Sequence, residues 1–316
     1  MKEKSRILKK INSDSFGGSE NQLRLLLKYL PDEIFENINL ILNNTDPNLL
    51  EDDKINILWM QHFVNIEEAK NLGLKSYLEK VDYIVFNSNW NFEKFVYQFK
   101  IPENKSVVIR NAIEEIVFKK KPSNKISLVY HTTPWRGLEI LLKVFKNLNL
   151  DNVELNICSS TIIYGKKFNN IYGKKYESIF EECKKTKNVN YLEFLDNKKM
   201  IELLKEMHIY AYPSIWVETS CISAIEAMAA GCEVVSTNLG ALYETCSPFG
   251  TFVGFDRNFK NLEKKYTETL LHCIKNYWTK ENQEKLQLQH KTINSIYGWN
   301  KRSEEWKNFL SMVKKK

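Results

Sequence analysis

The sequence predicts an α/β protein made of two doubly wound parallel-sheet domains in series, and three observations predict it. Short β-rich apolar runs alternate with segments whose apolar residues recur at helical spacing, for most of the 316 residues. The alternation breaks once, at the charged, Pro-containing stretch FKKKPSN (118–124), and then restarts. A chain of this length with 43% hydrophobic residues suits two domains that each bury a core better than one very large core.

In order, a short strand is expected before the glycine pair Gly17 and Gly18. INLILN (38–43), INILWMQ (55–61), DYIVFNS (82–88) and SVVIRN (106–111) then read as strands. Between them GSENQLRLLLKYL, IEEAKNLGLKSYLEK and NWNFEKFVYQF carry the helical period. After the break the strands are ISLVYHT (126–132), VELNICSS (153–160), VNYLEF (189–194), IYAYPS (209–214) and EVVST (233–237). Helices are expected at GLEILLKVFKNL, around 173–185, at NKKMIELLKEM and at SAIEAMAAG, and the tail SIYGWNKRSEEWKNFLSMVKKK reads as an amphipathic helix. The expected organisation is an N-terminal Rossmann-like domain over 1–118, a linker over 119–124 and a C-terminal domain over 125–295. A helix over 296–316 would cross back toward the first domain. Ligands of such sheets bind outside the carboxyl ends of the strands, so the segments that follow the strands are where chemistry is expected, in a cleft faced by both domains.

Composition excludes several classes. Six cysteines at irregular spacing, with no C-x-x-C pair, argue for a reducing compartment and against structural zinc. The first residues lack the apolar run of a signal peptide and no stretch approaches a membrane span, so a soluble, cytoplasmic protein is expected, with peripheral membrane contact left open. The net charge of +7 follows from scattered lysines. The runs 119–121 and 314–316 read as solvated linker and tail, and no aromatic and basic interleaving like that of an RNA-binding sheet supports nucleic acid as a partner.

The segment PSIWVETSCISAIEAMAAGCEVVST (213–237) carries the densest chemistry. Glu218 lies in the loop beyond a strand, so it is delivered to the carboxyl edge of the sheet. Residues Thr219, Ser220, Cys221 and Ile222 lead into a helix whose first turn offers free N–H groups and the positive end of the dipole, a ready anion site. Ser220 or Ser223 is expected to cap that helix, alanines keep it slim and Gly231 ends it. Glu226 falls within it, where a ligand contact and a local cap or ion pair fit the spacing equally. Arg136 follows strand 126–132, beside Thr132 and just before Gly137, where a guanidinium can fork onto a diphosphate. Gly17 and Gly18 would let a backbone approach a phosphate or sugar, or form an ordinary turn. His62 follows strand 55–61, and Asn87 and Ser88 end the next strand.

ETSCISAIE followed by AMAAG resembles the Glu, seven residues, Glu signature of glycosyltransferase family 4, retaining enzymes of GT-B fold that use nucleotide-sugar donors. FGGSE is similar to the family's N-terminal Gly-Gly loop, VFNSNWNFEKFVYQFKIPENKSVVIRNAI to its last N-domain strand, helix and crossover strand, and HTTPWRGLEILL to the basic loop that opens its C-domain. The resemblance implies a sugar transfer from a nucleoside diphosphate donor to a hydroxyl of a glycan, lipid or protein-linked acceptor. By the same resemblance Arg136 neutralises the leaving diphosphate, Glu218 orients the donor sugar, Glu226 holds the ribose hydroxyls, and His62 lies near sugar and acceptor. It implies no cofactor beyond the donor; no Asp-x-Asp arrangement is present to hold a metal. Ala112 stands where the family has a glycine after Asn111, and the N-terminal domain is short for the family. A nucleotide-sugar epimerase of the same fold and a non-catalytic nucleotide-sugar-binding subunit are the alternatives.

Overall fold

A computed structural model describes residues 2–11 and 14–315, and the chain divides by contact into two units. One comprises the chain up to Ala112 together with Tyr297 and beyond; the other runs from Ile113 to Ile296.

The first unit holds a parallel sheet of β1 (Ile38–Leu42), β2 (Ile55–Met60), β3 (Tyr83–Phe86) and β4 (Ser106–Val108), ordered as in the chain. Successive side chains of a strand point to opposite faces, so one apolar run feeds two cores. Leu40, Ile57, Trp59 and Val85 pack on one face with the helix Gly18–Tyr29 and the C-terminal helix Trp299–Met312. Ile41, Leu58, Met60, Ile84 and Phe86 pack on the other with the helix Asn89–Phe99. The C-terminal helix contributes Trp299, stacked on Tyr29 at 5.3 Å, and Trp306, edge-on to Trp59 at 4.7 Å.

Two elements here differ from expectation. The region read as a strand before Gly17 is helical at Lys2–Leu8, where Asp32 accepts from the backbone N–H of Lys4 at 3.0 Å and Arg6 pairs with Glu51 at 2.7 Å; residues 12 and 13 lie outside the described residues. The segment read as one helix over 66–80 is a 3-10 stretch, Glu67–Gly73, followed by the helix Lys75–Lys80. Gly73 weakens the helix and Leu74 is extended.

The second unit holds a six-stranded parallel sheet of β5 (Ile126–His131), β6 (Val153–Cys158), β7 (Val189–Tyr191), β8 (Ile209–Tyr212), β9 (Glu233–Thr237) and β10 (Thr251–Val253). Its order, β10-β9-β8-β5-β6-β7, reverses at β5, which puts a topological switch point between β5 and β8. β7 stops short of the expected residue 194 because Glu193 turns to φ 56°. β10 and the helices Phe259–Asn276 and Lys280–Tyr297 follow the last strand that sequence reasoning placed, and Tyr266 of the first of these helices donates to the Val235 carbonyl at 2.6 Å.

Residues 118–124 do not form a solvated linker throughout. Lys121 is buried, and its Nζ donates to the carbonyls of Leu204 (2.9 Å) and Ala230 (2.8 Å), both at helix ends. Buried His208 bonds the Pro122 carbonyl through Nε2 at 2.8 Å and accepts from the Ser127 N–H through Nδ1 at 3.0 Å. An unpaired carbonyl or ammonium in these surroundings would be costly, so these bonds fasten the segment to the sheet. No helix among the described residues is long and apolar enough to cross a membrane.

Candidate functional site

The chemistry of the second unit gathers where β5 and β8 end side by side. Beyond β5 the chain makes a 3-10 turn, Pro134–Arg136, and passes Gly137 into the helix Leu138–Leu148. Gly137 adopts φ 128°, and a Cβ there would lie 2.3 Å from the Pro213 carbonyl oxygen in the loop beyond β8. The glycine therefore lets the two loops touch. The Ile215 N–H donates to the Arg136 carbonyl at 3.2 Å and locks the contact.

That contact brings Arg136 onto Glu218. Arg136 Nη1 donates to Glu218 Oε1 at 2.8 Å, and the Tyr212 hydroxyl donates to the same oxygen at 2.5 Å. Arg136 Nη2 reaches the Tyr164 hydroxyl at 3.4 Å, and its guanidinium carbon lies 5.5 Å from the centre of the Trp216 ring. Burial works against the guanidinium charge, but Glu218 together with Tyr164, Tyr212 and Cys221 overcomes it, and the Arg136 pKa stands well above the usual range. Glu218 is fixed from behind by Gly240, whose φ is 68° and whose Cβ would meet the Glu218 carbonyl oxygen at 2.3 Å; the Ala241 N–H donates to that oxygen at 2.7 Å.

The helix Ile222–Ala229 starts just beyond. Its N-cap is Cys221, whose side chain makes no capping bond, so neither Ser220 nor Ser223 caps it as expected. Ser223 instead shares a hydrogen bond of 2.8 Å with the Tyr210 hydroxyl. Thr219 and Cys221 are buried, Ser220 and Ile222 half-buried, and burial together with the Glu218 charge pushes the Cys221 thiol up to about 12. Glu226 is only 6% exposed, and its carboxyl makes no hydrogen bond or ion pair among the described residues. Burial pushes its pKa up to about 8. The local cap or ion pair that spacing left open for Glu226 is therefore not made. Gly231 follows the helix at φ 79°.

Sequence reasoning missed Tyr212, Tyr164, Trp216 and His131. Three are aromatic residues that composition assigns to a core. His131 ends β5, half-buried, with an Nδ1 that is buried without a hydrogen-bond partner, and burial holds its pKa down at about 4, so the ring is neutral. Its position at a strand end, one residue before half-buried Thr132, was the available signal.

The remaining candidates belong to the first unit. Gly17 precedes the helix Gly18–Tyr29 at φ −58°, a conformation open to any residue, so the pair's contribution is the missing side chain rather than an unusual backbone. His62 is exposed just beyond β2; its N–H donates to Asn43 Oδ1 at 3.2 Å and its carbonyl accepts from Asn91 Nδ2 at 3.3 Å. Asn87 and Ser88 are buried rather than presented: Ser88 Oγ caps the helix Asn89–Phe99 through the Asn91 N–H at 3.0 Å, and Asn87 Oδ1 accepts from Asn91 Nδ2 at 3.2 Å. Asn111 is buried, and Gln22 clamps Ala112 through both backbone groups, at 2.6 and 2.9 Å.

Solved structures share this architecture. HepE of Anabaena, in complex with UDP and glucose, superposes with a TM-score of 0.67 at 16% identity over 94% of this chain and 84% of its own. A glycosyltransferase from Rickettsia africae ESF-5 gives 0.67 at 16% identity, over 96% and 84%. Sucrose-phosphate synthase from Thermosynechococcus elongatus gives 0.62 at 14%, over 80% and 66%. At such identities the likeness shows the fold, which is GT-B with two Rossmann-like units. No curated protein matches the sequence at a significant level. The family model of the glycosyl transferases group 1 does match, over residues 109–298, a span that includes the Arg136 and Glu218 loops and Glu226 and exceeds half of the chain; the protein therefore belongs to the glycosyl transferases group 1.

Proposed function

We propose that the protein is a retaining, metal-independent glycosyltransferase that moves a sugar, a hexose by our reading, from a nucleoside diphosphate to a hydroxyl of a glycan, lipid-linked or protein-linked acceptor. The observation that carries this reading is the trio Arg136, Glu218 and Glu226 at the switch point of the second sheet, with an uncapped helix start among them. In the reaction the bond between the anomeric carbon and the donor phosphate breaks, the acceptor oxygen bonds that carbon on the same face, and the acceptor proton passes to the departing phosphate. Charge develops on the diphosphate, which Arg136 and the free N–H groups at the start of the helix Ile222–Ala229 are suited to stabilise. The donor's phosphate competes with Glu218 for the guanidinium, so binding frees a carboxylate to accept from a sugar hydroxyl. Glu226, buried and unpartnered, is matched to the two ribose hydroxyls. We assign Gly17 and Gly18 to donor binding, Thr132 and Thr219 to Ile222 to the phosphate side, and His62 with Asn87 and Ser88 to the acceptor side, where Ser88 acts through its helix cap.

Screening UDP-, GDP- and ADP-sugars by thermal shift identifies the donor, since a bound ligand raises the melting temperature by mass action. Incubating the purified chain with that donor and acceptors, with EDTA present, then tests transfer. A donor that binds but yields neither transfer nor hydrolysis would make the chain a non-catalytic subunit. Activity lost to EDTA and restored by manganese would overturn the metal-free mechanism.

A further inference from the structure

Between β6 and the helix Glu177–Lys185 the chain makes an excursion: a turn, Ile162–Tyr164, a short helix, Lys166–Tyr172, and a second turn, Gly173–Tyr176. The pentapeptide Ile-Tyr-Gly-Lys-Lys occurs in it twice, at 163–167 and 171–175, and residues 161–176 carry four lysines and no acid. Aromatic and basic residues therefore interleave here, on a helical excursion rather than on a sheet.

The rings decide which side faces out. Tyr164, Phe168 and Tyr176 pack on Trp135 at 6.0, 6.0 and 5.5 Å, beside Arg136, and Phe168 packs on Tyr172 at 4.6 Å. Around that anchored cluster Ile162, Ile171 and the outer part of Tyr172 stay open to solvent, at 39%, 60% and 48% exposed. Lys166, Lys167, Lys174 and Lys175 are all exposed, and none of them forms an ion pair among the described residues. Lys167 stands one helical turn before Ile171, and Lys174 and Lys175 follow in the next turn, so apolar and cationic groups alternate along the excursion.

We propose that this surface, residues 162–175, docks onto an anionic lipid bilayer. The four uncompensated ammonium groups are complementary to headgroup phosphates, and Ile162, Ile171 and Tyr172 enter the interfacial layer, where aliphatic and tyrosine side chains are stabilised. A soluble polyanion such as RNA would use the lysines but gains nothing from exposed isoleucines, and this favours the bilayer. Docking here holds the Arg136 loop, which carries Trp135, close to the membrane. The proposal stands independently of the transfer reaction.

The test is co-sedimentation of the full chain with phosphatidylcholine vesicles, with and without about one third anionic phospholipid. Binding is expected only with the anionic lipid, weakening as salt is raised from about 0.05 to 0.5 M. Replacing Lys166, Lys167, Lys174 and Lys175 by Gln should lower the partition coefficient about tenfold or more. Ile171→Ser with Tyr172→Ser should weaken vesicle binding while leaving binding of an RNA oligonucleotide unchanged. Melting temperature and donor-induced thermal shift report folding of each variant separately. Absence of wild-type binding to anionic vesicles would overturn the proposal without any variant. Equal vesicle binding by the lysine variant would place the contact elsewhere, and indifference to the Ile171 and Tyr172 changes would make the surface a polyanion site.

Discussion

Glu226 is a carboxyl whose surroundings favour its neutral form, with a pKa near 8 in the ligand-free fold. Its unfolded value lies near 4.5, so the folded state binds the extra proton. Its contribution to stability is complete below about pH 4.5 and is lost as pH rises through about 8. Glu226→Gln should remove that decline, so that the variant gains on the wild type in melting temperature between about pH 5 and 8; parallel curves would mean that the carboxyl does not titrate as a buried group. If the ribose hydroxyls donate to the ionised form, donor affinity should climb toward pH 8, by at most about tenfold per pH unit, and level off above it. In Glu226→Gln that climb should be absent, as read by calorimetric titration. Glu218 makes a different prediction, because it is engaged by Arg136 and Tyr212 and, on the proposed function, faces the donor sugar. Glu218→Gln should lower turnover by about two orders of magnitude or more while the donor-induced thermal shift persists. Activity and melting temperature falling together would mark Glu218 as structural.

At the scale of elements, the site is made by two loops that only glycines allow to meet. Alanine at Gly137 would need a left-handed backbone and would put Cβ against a carbonyl oxygen that belongs to the chain rather than to a flexible side chain. Gly137→Ala should therefore destabilise the second unit by about 1–3 kcal/mol and separate the Arg136 loop from the Glu218 loop. Gly240→Ala should act the same way from behind Glu218. Chemical denaturation and donor titration check both, and wild-type donor affinity in either variant would show that the loop contact does not set the site. The helix Ile222–Ala229 is short, with no side-chain cap, and packs through Ala224, Ala227 and Ala229, all fully buried. Packing, not capping, holds its start in place.

At the scale of the molecule, each unit has its own sheet and its own buried side chains, and the last helix is part of the first unit's core rather than an appendage. Trp306 is fully buried against Trp59 and Phe309. Trp306→Ala should cost the first unit about 3–5 kcal/mol and leave the second intact. Calorimetry should then split into two transitions, the upper of which still responds to donor. A single transition shifted as a whole would mean that the two units unfold as one cooperative body.

The sequence by itself determined the alternation of strands and helices and the delivery of Arg136 and Glu218 to strand ends. Those features are local: a run of apolar residues has its period wherever the strand sits, and strand ends are where an α/β sheet presents loops. The resemblance carried by the two glutamates and the Arg136 loop was legible for the same reason, since each motif is contiguous. Where the sequence misled, local patterns met distant partners. Lys121 reads as solvated until Leu204 and Ala230 supply carbonyls, and the chain ahead of Gly17 reads as holding a short strand until Asp32 and Glu51 anchor Lys2–Leu8 as helix. Only the tertiary structure decided that β5 and β8 are neighbours although 77 residues separate the end of one from the start of the other. From that adjacency follow the ion pair between Arg136 and Glu218 and the need for glycine at 137; the pairing of β8 with β9 sets the need for glycine at 240. A sequence encodes the period of each strand in the strand itself, but strand order is set by which arrangement buries every face at once, and that is a property of the whole sheet.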